Sequence, residues 1–207
     1  MRVRCKKDLE ILLESVPDYS KPKIELEQYI TDSSIVSEIV WLSFMRGEIS
    51  ESKVADFGCG TGRFAIASAL LGALQVVCVD VDYDAILDSK ESVYRLDLDS
   101  KIDLVVCDVL KLPFRENLKF NVVFQNPPFG IQSRRGIDIA FLESSIKYSK
   151  IVYTIHKAET TNFIIRKIQD FGKHVDVLGY RSITIRAKYP HHYKRIHRVN
   201  VVILRIY

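Results

Sequence analysis

Residues 53–62 read Lys-Val-Ala-Asp-Phe-Gly-Cys-Gly-Thr-Gly, and this stretch decides the fold class. Residues 53–57 are a mainly apolar run that predicts a short buried strand, and residues 64–71 have the pattern of an apolar helix. The glycines between them let the backbone turn sharply and approach a ligand, because no Cβ stands in the way. The stretch therefore predicts a strand–loop–helix unit of an α/β domain, with a ligand at the loop.

The rest of the chain continues this alternation of strands and helices. Further strands are predicted at 75–79, 102–107, 120–125 and 151–155, and helices at 83–94, 137–149 and 160–171. Such an order favours a parallel sheet with both faces covered. Residues 175–187 and 199–207 are two long β segments without a helix between them, which predicts an antiparallel hairpin. We expect a seven-stranded, mostly parallel sheet with an antiparallel final strand and helices on both faces.

The composition is that of one globular domain over residues 1–207. Hydrophobic residues make up 47% and charged residues 27%, which excludes a disordered chain. Residues 1–50 are expected to form a helical segment that covers the ligand site, and residues 175–207 form the C-terminal hairpin.

No apolar run approaches the ~20 residues that span a bilayer. The four cysteines form no CxxC pair, so no metal site is expected, and a cytoplasmic protein is predicted.

Acidic residues stand at the predicted carboxyl ends of the first three strands. Asp56 precedes the first glycine, Asp80 ends the second strand, and Asp108 ends the third. A carboxylate at Asp80 can accept hydrogen bonds from both ribose hydroxyls of an adenosyl group, and Asp108 with the Val109 amide can meet an adenine edge. Each aspartate taken singly can instead cap a helix, and a nicotinamide dinucleotide is the alternative ligand. The loop has GxGxG spacing rather than the dinucleotide GxGxxG.

This pattern resembles the seven-stranded, Rossmann-like methyltransferases. The resemblance implies that S-adenosyl-L-methionine is the cofactor and S-adenosylhomocysteine the product. It also implies cofactor contacts from the glycine loop, from the strand ends and from the residue after the fourth strand. These residues are Asp56, Gly58, Cys59, Gly60, Thr61, Gly62, Arg63, Asp80, Val81, Asp108, Val109 and Asn126.

Asn126-Pro127-Pro128-Phe129, after the fourth strand, is the most specific feature of the sequence. An exocyclic adenine nitrogen is a poor nucleophile, because its lone pair is delocalised into the ring. The Asn126 side-chain oxygen and the Pro127 carbonyl can accept both amino protons and support a pyramidal nitrogen. Pro127 and Pro128 restrict the backbone, and Phe129 offers a face on which a flipped base can stack. The four residues are therefore predicted to be catalytic, with no general base required.

Asn126-Pro127-Pro128-Phe129 resembles the (Asp/Asn)-Pro-Pro-aromatic signature of amino-methyltransferases. Those enzymes act on adenine, cytosine or guanine bases or on glutamine side chains. Two alternatives to an adenine methyltransferase stay open. One is a protein-glutamine N5-methyltransferase, although the ~50 residues before the first strand leave little room for a substrate-binding domain. The other is a non-catalytic RNA-binding scaffold of the same fold.

A longer series of motifs resembles the archaeal and eukaryotic small-subunit ribosomal RNA adenine-N6 methyltransferases (methyltransferase-like protein five type). The series comprises Leu26-Glu-Gln28-Tyr29-Ile-Thr31, Asn126-Pro-Pro-Phe129-Gly130, Gly136-x-Asp138, Thr154-Ile-His156-Lys157 and Tyr193-Lys194. The resemblance implies small-subunit rRNA as substrate and cofactor-side contacts from Gln28, Tyr29 and Thr31. It also implies a small zinc-binding activator protein, for which an exposed sheet edge near residues 75–110 is a candidate site. Ile30 stands where the family often has proline.

Basic residues near the C-terminus are candidates for RNA contact. The net charge is only +4, but residues 181–205 contain no Asp or Glu. Phosphate binding needs such a concentration of cations, although a solvated surface is the alternative. The predicted RNA-binding residues are His156, Lys157, Arg186, Lys188, Lys194 and Arg195. The histidines at 191, 192 and 197 lack an accompanying carboxylate or cysteine, so they do not predict a metal site.

Overall fold

The computed structural model describes residues 3–115, 117–130, 132–186 and 196–207, and these contain six α-helices and one seven-stranded sheet. The helices are α1 (Lys6–Glu14), α2 (Ser33–Met45), α3 (Arg63–Leu70), α4 (Tyr83–Arg95), α5 (Ile137–Tyr148) and α6 (Thr161–Asp170). The strands are β1 (Lys53–Phe57), β2 (Gln75–Asp80), β3 (Ile102–Val106), β4 (Phe120–Gln125), β5 (Ser149–Lys157), β6 (Val175–Arg186) and β7 (Ile196–Ile206).

The strands lie in the order β3-β2-β1-β4-β5-β7-β6. Strands β1 to β5 pair in parallel, and β7 lies antiparallel to both β5 and β6. This confirms the predicted mostly parallel sheet with an antiparallel final strand and a C-terminal hairpin. The prediction of an exposed sheet edge near residues 75–110 holds for only one of the two strands in that range. Strand β3 lies at the sheet edge, but β2 is paired on both sides.

Helices cover both faces of the sheet, and the alternation of side chains along β1 shows how. Val54 packs with buried residues of α1, α2, α3 and α4, whereas Ala55 and Phe57 point to the opposite face. On the first face the rings of Phe64 and Phe124 stack with centroids 5.5 Å apart. On the second face α5 and α6 pack against β5 and its neighbours. Each fully buried Leu, Ile or Phe contributes roughly 1.5–3 kcal/mol.

The N-terminal helices are held against the glycine-loop helix. Helices α1 and α2 pack on each other and on α3. The Arg63 guanidinium, at the start of α3, donates to the carbonyl oxygens of Val16 and Thr31 at 2.9 and 3.0 Å. It also donates to the Ser33 hydroxyl at 3.2 Å. The predicted cofactor residue Arg63 therefore uses its side chain to anchor the segment between α1 and α2.

The helices are short compared with the bilayer. Among the residues that the structure describes, no helix is long and apolar enough to cross a membrane.

Candidate active site

A cavity of about 300 Å³ opens at the carboxyl ends of the central strands. Parallel strands place their carboxyl ends at one edge, which is where ligands bind in open α/β sheets. Its walls come from the N-terminal segment, the glycine loop, the ends of β2, β3 and β4, and the start of α5. The lining residues are Tyr19, Leu26, Glu27, Gln28, Tyr29, Ile30, Thr31, Gly58, Cys59, Thr61, Arg63, Phe64, Asp80, Val81, Asp108, Val109, Leu110, Asn126, Pro128, Ser133, Ile137 and Phe141.

Most of the predicted site residues lie together in this wall. They are Gln28, Tyr29, Thr31, Gly58, Cys59, Thr61, Arg63, Asp80, Val81, Asp108, Val109, Asn126 and Pro128. The wall does not include the predicted residues Asp56, Gly60, Gly62, Pro127 and Phe129. Sequence reasoning missed Tyr19 and assigned no role to Glu27. Tyr19 lies in a loop between two prolines, where no periodicity marks a functional residue.

Asp80 links the glycine loop to the end of β2. Its carboxylate accepts from the backbone amides of Gly60 and Asp82 at 2.8 and 2.9 Å. The residue is only 8% exposed, and this burial raises the pKa of its carboxyl group above the ordinary value. Gly60 has a φ of 54°, and a Cβ there would lie 2.0 Å from the Tyr19 hydroxyl oxygen. Only glycine fits without displacement of that tyrosine.

Asp56, a predicted cofactor residue, is not among the residues that line the cavity. It is 1% exposed and accepts from the Ala65 amide at 3.0 Å, in the first turn of α3. The helix-cap alternative therefore describes its role, because the first amides of a helix have no partner within the helix. Burial raises the pKa of Asp56 to about 8.

The buried Asp56 carboxyl should make the protein less stable as pH rises from about 4 to about 8. Its pKa is higher in the folded state than in the unfolded state, so the folded protein binds this proton more tightly. The free energy of unfolding therefore falls as pH rises from the unfolded pKa to the folded pKa. The slope is at most about 1.4 kcal/mol per pH unit. Asn at this position keeps an acceptor for Ala65 but cannot ionise. Urea unfolding of Asp56→Asn from pH 5 to pH 8 should show a flatter profile, and a profile as steep as that of the unchanged protein would contradict the assignment.

Asp108 shapes the wall at the end of β3. Its carboxylate accepts from the Leu110 amide at 2.9 Å, which caps a short 3-10 helix over Val109–Lys111. Asp108, Val109 and Leu110 all line the cavity. The predicted pair of Asp108 and Val109 therefore lies in the same wall as Asp80.

The N-terminal segment is tied to the residues after β2. The Gln28 amide donates to Asp82 at 2.7 Å, and its oxygen accepts from the Lys23 amide at 2.7 Å. The Lys23 ammonium also pairs with Asp82, which is 3% exposed. These donors lower the pKa of Asp82 although burial acts to raise it. Gln28 thus lines the cavity, but its side-chain amide is hydrogen-bonded to Lys23 and Asp82 within the protein.

Asn126 is held at both ends of its side-chain amide. Its Nδ2 donates to the Thr31 hydroxyl at 2.9 Å, and its Oδ1 accepts from the Tyr29 hydroxyl at 3.3 Å. The Phe129 ring lies beside Tyr29, with centroids 5.5 Å apart, and the Lys157 ammonium lies 6.0 Å from the Phe129 centroid. The motif after β4 is therefore assembled against the N-terminal segment and the end of β5.

His156, which was predicted to bind phosphate or to support the target-base loop, lies in the interior. It is 0% exposed, and its Nε2 is 3.0 Å from the Thr154 hydroxyl. Its Nδ1 is 3.5 Å from the Asp138 carboxylate of α5. Because β5 extends to Lys157 rather than ending at 155, His156 becomes part of the sheet. Its contacts join β5 to the beginning of α5.

Replacing His156 by alanine should destabilise the protein without weakening RNA binding by the folded molecules. The change leaves a cavity and removes one hydrogen-bond partner of the Thr154 hydroxyl, which keeps its bond from Gln125. Together these losses cost about 1–3 kcal/mol. Urea unfolding and RNA binding below the unfolding transition measure the two effects. The exposed His174→Ala is the matched control. A large loss of RNA affinity with unchanged stability would support the phosphate-contact prediction.

The basic C-terminal stretch is partly neutralised within the fold. Arg181 pairs with Glu38, and Arg205 pairs with Glu48 and Asp176. Lys157 remains partly exposed, at 21% of its side chain. The predicted RNA contacts Lys188, Lys194 and Arg195 lie outside the described residues. Arg186 lies in β6, but its side chain is outside the described set.

We compared the chain with known protein families, with related sequences and with solved structures. The profile of the Methyltransferase small domain family matches residues 37–149. The rRNA N(6)-adenosine-methyltransferase METTL5 of Danio rerio is 34% identical over 201 residues, which cover 96% of this chain and 97% of the relative. The chain belongs to the METTL5 family. Mettl5 of Drosophila melanogaster is also 34% identical, with 97% and 94% of the two chains covered.

A solved structure supports the family assignment at the level of the whole fold. The candidate RNA methyltransferase PH1948 from Pyrococcus horikoshii is 34% identical to this chain and superposes with a TM-score of 0.88. The match covers 100% of this chain and 98% of that one. The Rossmann-like methyltransferase fold of this METTL5 family member therefore agrees with the sequence-based prediction.

Proposed function

We propose that this protein transfers a methyl group from S-adenosyl-L-methionine to the N6 amine of an adenosine in ribosomal RNA. The observation that carries the proposal is that the Asn126 amide opens onto the same cavity as Asp80 and Asp108. This supports the proposal, because an amide oxygen can accept a hydrogen bond from an amine and carboxylates suit an adenosyl ligand. The adenosine and rRNA substrate come from the METTL5 relatives of nearly equal length.

The polar groups of the cavity fit the proposed cofactor. The two Asp80 oxygens accept from the backbone amides of Gly60 and Asp82, and a carboxylate has about four lone-pair sites, so it can also accept from ribose hydroxyls. Asp108 and Val109 line the wall where an adenine ring would be recognised. When bound, the cofactor supplies an electrophilic methyl group on its sulfonium, and S-adenosylhomocysteine is the product.

The residues after β4 would position the acceptor amine. The Asn126 Oδ1 accepts a hydrogen bond from one amino hydrogen, and the Pro127 carbonyl oxygen is the candidate acceptor for the hydrogen bond from the other. These two hydrogen bonds favour a pyramidal nitrogen whose lone pair is directed outwards, while Phe129 supports the face of the base. Since the amine attacks with its own lone pair, no group needs to remove a proton beforehand, and the proton is lost to solvent after transfer.

Small-subunit rRNA is our more specific proposal for the substrate. This choice rests on the resemblance to the small-subunit rRNA methyltransferases. Lys157 supports an RNA substrate in general, because its ammonium lies beside Phe129 and can meet a phosphate next to a flipped base. Arg186, Lys188, Lys194 and Arg195 are the further proposed RNA contacts. Each phosphate that such residues neutralise makes binding weaker as salt concentration rises.

A small zinc-binding activator protein is the proposed partner, and the free side of β3 is its candidate site. Within the described part of the chain β3 pairs only with β2. Val106, at its end, is 47% exposed. An edge strand of this kind can accept a strand from another chain. Full solubility and activity of the isolated monomer would count against the partner.

A cytoplasmic location is also proposed, and the cysteines support it. Cys5, Cys59, Cys78 and Cys107 are all free thiols. Free thiols are typical of reducing compartments.

Transfer of labelled methyl from S-adenosyl-L-methionine to total RNA and to ribosomal subunits tests the function. We expect N6-methyladenosine in small-subunit rRNA after nucleoside analysis. Label in protein rather than in RNA would instead support the glutamine N5-methyltransferase, and cofactor-independent RNA binding without any transfer would support the scaffold.

A further inference from the structure

The Glu27 carboxylate binds the backbone that follows the Asn-Pro-Pro-Phe motif. Its Oε2 accepts from the Phe129 amide at 2.7 Å. Its Oε1 accepts from the Gln132 amide at 2.8 Å and from the Ser133 amide and hydroxyl at 2.9 and 2.7 Å. Burial acts to raise the pKa of Glu27, but these donors outweigh it and lower the pKa. One ionised side chain therefore accepts from four donors among the described residues of a single loop.

The backbone of Glu27 is arranged to make this contact. The residue ends a short 3-10 helix, Ile24–Leu26, with a φ of 52° in the left-handed region. That conformation is uncommon for a residue other than glycine. It persists where surrounding contacts compensate for its cost. The hydrogen bonds to the loop are such contacts.

The same short segment also holds Asn126. Two positions beyond Glu27, the Tyr29 hydroxyl donates to Asn126 Oδ1, and Thr31 accepts from Asn126 Nδ2. Residues 27–31 thus contact both parts of the proposed acceptor site: the amide that receives an amino proton and the loop that carries Phe129. The segment is anchored in turn through Gln28 to Asp82.

We propose that Glu27 is a positioning residue for the methyl acceptor, an inference that rests on the proposed function. It fixes the acceptor loop, defined here as residues 129–130 and 132–133, relative to Asn126. A flipped base must meet Phe129 with its face and Asn126 with its amine at the same time. Their separation is set by the segment 27–31, because Glu27 holds one side and Tyr29 with Thr31 holds the other. Small errors in such an alignment lower the reaction rate strongly.

A carboxylate is the side chain that this role requires. The four partners of Glu27 among the residues that the structure describes are all donors, and an ionised carboxylate only accepts. In Glu27→Gln one oxygen becomes an NH₂ group that faces donors, so hydrogen bonds are lost and a donor–donor contact is created. The substitution keeps the shape of the side chain, which separates loss of the contact from loss of packing.

The test compares Glu27→Gln with Glu25→Gln, the same change at an exposed carboxylate in the same turn. Three quantities are measured on the full chain: the single-turnover rate of methyl transfer to RNA, the Kd for S-adenosyl-L-methionine, and hydrogen exchange of the amides at 129, 132 and 133. In Glu27→Gln we expect a rate loss of about 10–100-fold, a cofactor Kd changed by less than about threefold, and faster exchange at these amides. Glu25→Gln should match the unchanged protein.

The measurements separate the inference from the function on which it rests. Unchanged exchange in Glu27→Gln, or full transfer activity, would overturn the positioning role. A cofactor affinity that falls in proportion to the rate would also overturn it, because Glu27 would then act through the cofactor wall. Absence of methyl transfer to RNA by the unchanged protein would overturn the proposed function instead, whatever the exchange data show.

Discussion

Asn126→Ala is expected to lower the rate of methyl transfer by about 10²–10³-fold, which is the cost of removing one well-placed polar group from a catalytic site. The reason is that Oδ1 is the acceptor which the proposed mechanism uses for an amino proton of the target base. The substitution also releases Tyr29 and Thr31 from their contacts with the amide. RNA affinity should stay nearly unchanged, because RNA is held mainly through its phosphates.

The measurement is a single-turnover assay at saturating RNA and cofactor, together with RNA binding by the same protein. Asn162→Ala, an exposed asparagine of α6, is the matched control. Asn126→Asp keeps acceptor oxygens and should retain more activity than the alanine variant. Near-normal transfer by Asn126→Ala would exclude the amide from the mechanism. An equal loss of RNA affinity and rate would make Asn126 a binding residue.

Asp80→Ala is expected to weaken cofactor binding by about 100-fold or more, since two hydrogen bonds to a charged group contribute about 1.5–3 kcal/mol each. The carboxylate is the proposed acceptor for the ribose hydroxyls. It also binds the Gly60 and Asp82 amides, so its removal loosens the glycine loop and leaves two donors without their partner. The variant should therefore unfold at a lower temperature as well.

Calorimetric titration with S-adenosyl-L-methionine, below the unfolding transition, measures this effect. Asp99→Ala, an exposed aspartate in the turn before β3, is the control and should bind the cofactor normally. Asp80→Asn keeps one acceptor oxygen, and its Kd for the cofactor should lie between those of Asp80→Ala and Asp99→Ala. A Kd for Asp80→Ala within a few fold of the unchanged protein would show that the carboxylate has only a structural role in the loop.

The strands and helices were largely predictable because their signals are local. The β1 sequence and the glycines after it predict a buried strand and a turn, and the structure has both. The observed contacts differ from the expected ones where a side chain had two plausible partners. Asp56 and Asp80 stand near the carboxyl ends of neighbouring strands, but Asp56 points into α3 and Asp80 into the cavity wall. His156 was expected in a loop, and the longer β5 buries it.

The local sequence was sufficient for the alternation of strands and helices, for the glycine loop and for the Asn-Pro-Pro-Phe motif, because periodicity and backbone restrictions act over a few residues. Only the tertiary structure brings β7 between β5 and β6, and only it pairs Glu27 with an amide 102 positions away. Neither partner of that contact carries a signal for the other. A carboxylate accepts from any amide it meets, and which one it meets depends on how the whole chain packs.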